Sequence, residues 1–184
     1  MCSELTLHKS GSQWRNFYGR FKGKALSAKQ SETIRNEFAK YSIKNISWED
    51  NPQRKPLNLT ELFAKKHIWL EIGFGGGEHL MHQAKLNPDI GIIGCEPYIN
   101  GLAMLLRKLS DNPCYNVRIY DGDARNIFDV LPKSSIEKVF LLYPDPWPKK
   151  KHHRRRFVTQ EFLRPLHNSM KAGSILRIAT DIED

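Results

Sequence analysis

The stretch YPDPWPKKKHHRRRF, residues 143–157, sets one carboxylate, Asp145, between two prolines, adds the indole of Trp147, and then packs six lysines and arginines into eight positions. Proline fixes its own φ and restricts the residue before it, so Pro144 and Pro146 hold Asp145 in one direction. A fixed carboxylate can accept hydrogen bonds from a base edge or stabilise a developing positive charge, and an indole offers a stacking face. The cations beside them suit phosphates, whose neutralisation releases counterions and drives association. Upstream, LEIGFGGGEHL, residues 70–80, places Gly73, Gly75 and Gly77 in a turn behind Glu71. Glycine there lets the backbone approach a ligand closely. A dinucleotide fingerprint, GxGxxG, needs glycine at 78 or 80, where Glu78 and Leu80 stand, so the turn does not read as one for NAD.

The elements that must position these residues are visible as apolar runs at residues 67–73, 90–96, 116–123, 137–143 and 174–181. Several are apolar almost throughout, as strands covered on both faces are. Residues 100–110 carry Leu102, Leu105, Leu106 and Leu109 at one-face helical spacing, and Phe162, Leu166 and Met170 repeat four apart. Both read as core stripes. Residues 26–41 form a further amphipathic helix capped by Ser27, and residues 45–58 read as a connecting loop. Strand alternating with helix from residue 67 onward predicts a doubly wound, mainly parallel α/β sheet. In such a sheet ligands gather at the carboxyl ends of the strands. Glu96 closes the second strand, where an acceptor can take both ribose hydroxyls. Asp123 and Ala124 close the third, where a carboxylate and a small residue can edge an adenine. Each acid alone could be a helix cap or a solvated loop residue; three at successive strand ends point to a ligand.

The chain has 184 residues and 40% hydrophobic content, the size of one domain with a short extension. Its net charge of +9 is uneven: residues 1–30 carry +5, residues 149–156 carry +6 and the remainder −2. That distribution favours a phosphate-rich partner. There is no apolar run of membrane-spanning length and no secretory signal at the start, so the cytoplasm is the expected compartment, without a membrane. Cys2, Cys95 and Cys114 are widely spaced and outside any CxxC pair, and read as reduced thiols. EHLMH, residues 78–82, is not HExxH; no metal is expected, and His79 and His82 read as surface or packing residues.

The acid-led glycine turn resembles the first motif of class I S-adenosylmethionine methyltransferases. Together, GFGGGEHL, GCEP, DGDA, PDPWPKKKHHRRR and ATD resemble the bacterial tRNA (guanine-N7-)-methyltransferases, and WRNFYGRFKGKALSAKQ is similar to their basic N-terminal arm. The resemblance runs from Trp14 to Asp181. It implies a Rossmann-like doubly wound sheet of the class I methyltransferase type at residues 31–184, behind a basic, flexible arm at residues 1–30. It implies S-adenosylmethionine as cofactor, tRNA as partner and N7-methylguanosine at position 46 of tRNA as product, with a monomer favoured. Asp145 is implied as the catalytic acidic residue. Cofactor contacts are implied at Glu71, Gly73, Gly75, Gly77, Glu96, Asp123, Ala124 and Asp145. Lys149 and Asp181 are implied at the guanosine, and Lys150, Lys151, His152, His153, Arg154 and Arg155 at the RNA. The family fold continues past its fifth strand through a helix and two antiparallel strands that complete the guanosine pocket. This sequence stops at Asp184, so the expectation is a C-terminally truncated chain whose fifth strand is an exposed sheet edge. The alternatives are a tRNA-binding module without catalysis, or an amino methyltransferase acting on protein or DNA, since PDPW loosely resembles an Asn-Pro-Pro-aromatic motif.

Overall fold

A computed structural model describes residues 17–181. Five strands, β1 (His67–Ile72), β2 (Ile90–Cys95), β3 (Val117–Tyr120), β4 (Ile136–Leu142) and β5 (Met170–Ala179), form one sheet in the order β3-β2-β1-β4-β5, every pair parallel. The chain winds outward through β2 and β3, then returns to the other side of β1. The crevice above β1 and β4 is therefore the topological switch point, where doubly wound sheets bind ligands.

The strands follow from their composition. Ile68, Leu70 and Ile72 of β1 point to one face and join a core with Ile93, Ile127, Val139 and Leu166. Ile92 of β2 and Val117 and Ile119 of β3 point to the other, among Leu80, Leu102, Leu105 and Leu106. The helices complete the layers: α1 (Ala28–Tyr41), α2 (Leu59–Phe63), α3 (Glu78–Leu86), α4 (Ile99–Asp111), α5 (Ala124–Phe128) and α6 (Gln160–Ser169). The Ser27 cap is present as a full capping box: Ser27 Oγ accepts from Gln30 N at 3.2 Å, and Gln30 Oε1 accepts from Ser27 N at 2.9 Å. Buried Asn116 donates to the carbonyls of Ala84, Asn87 and Ile90 at 3.1, 3.1 and 2.9 Å, fastening the end of α3 to the start of β3.

Two sequence expectations change, while residues 45–58 are the loop expected. Met170 is not on the helical stripe with Phe162 and Leu166; it pairs with Ile136 and opens β5, four residues earlier than Ser174. Two short helices, α2 and α5, occupy segments without a readable stripe. The loop at residues 45–58 packs inward, burying Ile46 and Leu57, and Asn51 bridges its ends by hydrogen bonds to Asn45 O and Lys55 O. β5 is one of the two edge strands of this sheet, opposite β3, with Ile175 and Ile178 exposed. Cys95 and Cys114 are free and buried; Cys2 lies outside the described residues. Among the described residues no helix is long and apolar enough to cross a membrane, and no group of three His, Cys, Asp or Glu could hold a metal ion.

Candidate active site

One cavity of about 750 Å³ opens above the carboxyl ends of β1 to β4. Its floor is the turn between β1 and α3. Gly73 and Gly75 have φ of +72° and +54°, and a Cβ on either would extend into open space rather than into the protein. The floor is thus bare backbone facing the cavity. Gly75 N donates to Glu96 Oε2 at 2.8 Å and Tyr98 N to Glu96 Oε1 at 2.9 Å, so the carboxylate at the end of β2 holds both the glycine turn and the start of α4. Burial pushes the Glu96 carboxyl above its ordinary pKa; the two N–H donors oppose this, and the nearby Asp145 charge adds to it. Gly101 lets α4 approach the turn, since a Cβ there would lie 2.4 Å from Gly75 O. Gly101→Val is expected to cost about 1–3 kcal/mol in stability, as overpacking does, and to shift the turn; urea denaturation checks the first effect.

The third strand end supplies the opposite wall. Asp123 caps α5: Oδ1 accepts from Arg125 N at 2.9 Å, and Oδ2 accepts from Arg125 Nε at 2.7 Å and from its Nη2. Ala124 is buried beside it, and the Arg125 guanidinium lies 4.8 Å from the Phe162 ring centre. Phe162 and Phe157 both line the cavity, so Phe162 serves the site as well as the helical stripe.

Glu71 behaves differently from its neighbours. It does not line the cavity; its carboxylate lies beneath the turn, 3% exposed, and meets His79 Nδ1 at 2.7 Å. Burial raises its pKa against the opposing pull of His79. The His79 ring stands edge-on to Phe140, with centroids 4.6 Å apart, so this histidine is a packing residue, while His82 is exposed. Gly77 heads α3 and abuts Leu105, also off the cavity.

The last wall is the exit from β4. Tyr143 N donates to Ala179 O at 2.8 Å, tying the exit to β5. Tyr143 and Trp147 have φ of +53° and +42°, a left-handed backbone that bulky residues rarely adopt. Between them Asp145 stands exposed in the cavity mouth. The basic run forms a 3-10 helix, Lys150–Arg155, and divides by role. Lys149, Lys150, Lys151 and Arg154 are exposed, and His152 and His153 half-buried. Arg155 turns inward, its guanidinium 4.6 Å from the Tyr18 ring centre and 4.9 Å from that of Trp147, and Arg156 Nε donates to Pro146 O at 3.0 Å.

The described part of the arm joins the site. Phe17, Tyr18, Gly19 and Arg20 line the cavity. Asn100 at the start of α4 holds the segment behind them, accepting from Gly23 N at 2.9 Å and donating to Lys24 O at 2.8 Å. Asp181 is exposed two residues beyond β5, on the same sheet edge as the exit from β4 but off the cavity. The structure therefore gathers Gly73, Gly75, Glu96, Asp123, Ala124 and Asp145 around one space, with Arg155 at its edge. Sequence reasoning missed Tyr18, Asn100 and Arg125, whose contacts are made across the fold or back along the chain and leave no periodic signal.

Residues 65–184 match the family described as "Putative methyltransferase". The tRNA (guanine-N(7)-)-methyltransferase of Ruegeria sp. (strain TM1040) is 57% identical over 177 residues, which make up 96% of this chain and 69% of that protein. The protein of the same name from Jannaschia sp. (strain CCS1) is 60% identical over 170 residues, 92% of this chain and 72% of that one. Among solved structures, the aminoglycoside resistance methyltransferase NpmB1 superposes with a TM-score of 0.52 at 20% identity, over 74% of this chain and 63% of that chain, a likeness of fold.

Proposed function

The chain belongs to the tRNA (guanine-N(7)-)-methyltransferase family, and on that premise we propose that its cavity takes S-adenosylmethionine and that its rim presents a guanosine of tRNA to it. The observation that carries this reading is the convergence of a bare glycine floor, Glu96, Asp123 and Asp145 on one cavity whose rim continues into the basic helix. The residues present fit the cofactor. The floor leaves room for a ligand against backbone, Glu96 retains acceptor capacity for ribose hydroxyls, and Ala124 with Phe162 gives a flat wall for a purine. When bound, S-adenosylmethionine supplies an electrophilic sulfonium methyl group.

Guanine N7 carries a lone pair and no hydrogen, so no residue has to remove a proton from it. What the chain must supply is alignment. Asp145, aimed by its two prolines into the cavity mouth, stabilises the positive charge that grows on the purine as N7 is alkylated. Lys149, four residues after Asp145, and Asp181, beyond the end of β5, are both exposed, and in this reading they meet the guanosine, with Asp181 accepting from the N1 and N2 donors of guanine. Glu71 acts beneath the turn rather than as a wall of the cavity: it anchors His79 at the first turn of α3. The exposed cations hold the RNA backbone. The compartment that fits a tRNA substrate is the cytoplasm.

Incubation with unmodified tRNA and labelled S-adenosylmethionine, followed by cleavage at N7-methylguanosine, tests the reading. Product at one guanosine is expected; incorporation without such cleavage would point to an amino methyltransferase. The division within the basic run gives a separate prediction. Replacing Lys150, Lys151 and Arg154 together by Ala weakens binding to all tRNAs and lowers the slope of log affinity against log salt by about 2–3, because each lost phosphate contact removes most of one released counterion. Arg155→Ala leaves that slope nearly unchanged, since its guanidinium is spent on Tyr18 and Trp147. Filter binding across a salt series checks both.

A further inference from the structure

Asp123 is held unusually for an acid at a ligand wall. Its carboxylate is gripped from within the same turn: Arg125 N reaches Oδ1 at 2.9 Å, and the guanidinium fork of Arg125 takes Oδ2 through Nε at 2.7 Å and through Nη2. The two side chains are only 14% and 11% exposed, and both line the cavity. A carboxylate oxygen has two lone-pair sites, so Oδ1 retains acceptor capacity after binding one backbone N–H. Since the fork occupies Oδ2, the further donor that Oδ1 accepts can come from the cavity that both residues line. The guanidinium also stacks on Phe162 at 4.8 Å, which fixes its plane and, with buried Ala124, flattens this end of the space.

Resting on the cofactor reading above, we propose that Arg125 is the positioning residue that sets purine selectivity, orienting Asp123 so that the site takes a 6-aminopurine and rejects a 6-oxopurine. An adenine 6-amino group donates to the oriented oxygen. A hypoxanthine presents a carbonyl oxygen at the same place, acceptor against acceptor, and leaves the remaining lone pair of Oδ1 without a donor. A guanidinium is needed because only a planar fork fixes both the direction and the plane of a carboxylate; an ammonium is a point charge that allows rotation.

Isothermal titration of the full chain with S-adenosylhomocysteine and with S-inosylhomocysteine tests this without turnover. The wild type is expected to prefer the amino compound by a factor on the order of a hundred, and Arg125→Ala to lose about tenfold of that preference. Arg125→Lys, which keeps the charge and guards against a misfolded alanine variant, is expected to fall between them. An unchanged preference in both variants would reduce Arg125 to a structural ion pair and overturn the proposal. Equal binding of both compounds by the wild type would overturn it while leaving the cofactor reading intact, and binding of neither would remove both.

Discussion

Asp145→Ala lowers the rate of methyl transfer by about a hundred- to a thousandfold, the range seen when one preorganised group facing a developing charge is removed, and leaves tRNA affinity within about twofold. The carboxylate is exposed, and no backbone group depends on it in the described structure, so truncation costs the fold little. The geometry around it remains, because the left-handed Tyr143 and Trp147, the Tyr143–Ala179 hydrogen bond and the Arg156–Pro146 hydrogen bond do not involve its side chain. The cations proposed to hold the RNA backbone sit elsewhere, at exposed positions of the 3-10 helix. Asp145→Asn separates the two roles of the group: it keeps an acceptor but removes the charge, and is expected to retain little of the rate. Single-turnover transfer together with filter binding reads both quantities, and normal turnover in Asp145→Ala contradicts the assigned role.

Glu96→Ala is the second large effect, and it falls on cofactor affinity. The carboxylate is buried and already accepts from Gly75 N and Tyr98 N, so its removal releases the glycine turn as well as the proposed ribose contact. Loss of even one hydrogen bond to a charged group, at about 1.5–3 kcal/mol, implies a rise in the dissociation constant of S-adenosylhomocysteine of about ten- to a hundredfold. Stability carries a pH dependence of its own. A carboxyl whose pKa is raised by folding contributes stability that is fully present below its unfolded pKa and is lost as pH rises through the folded one. The ionised form of Glu96 therefore carries a cost of burial, and the stability of the wild type is expected to fall as pH rises through the folded pKa. Glu96→Gln cannot titrate and is expected to lack that decline, but its amide offers one acceptor oxygen to two backbone N–H donors, so it is expected to unfold at a lower temperature than the wild type in acid and to bind the cofactor less tightly. Calorimetric scans at several pH values beside a binding titration check both.

The sheet was legible in the sequence because its central strands are covered on both faces, so β1, β2 and β4 are nearly continuous apolar runs. The convergence of Gly75, Glu96, Asp123 and Asp145 was legible for a related reason: in a parallel sheet every strand end reaches the same edge. What the sequence could not convey was how those side chains are used. The acid at 71 follows the pattern of a cofactor ligand, yet it is turned under the floor toward His79, one turn into α3, by a contact across the turn. Asp123 had two readings, helix cap and ligand wall, and the structure uses it as the cap while leaving it on the cavity. α5 is too short for a helical stripe to emerge, and β5 begins at Met170 because Ile136 pairs with it, a tertiary choice that overrides the four-residue repeat. The basic run appeared uniform in the sequence; only the positions of Tyr18 and Trp147 separate Arg155 from the outward-facing cations.

Methyl transfer to a tRNA transcript in which 7-deazaguanosine replaces guanosine tests the central claim most directly. The substitution exchanges the N7 lone pair for a C–H and leaves the Watson–Crick edge and the phosphates unchanged. The account predicts label in the guanosine transcript, released by cleavage at N7-methylguanosine, and none above background in the 7-deaza transcript, with both binding the protein equally. Equal incorporation into the two transcripts would contradict it, and would place the accepting atom somewhere other than N7.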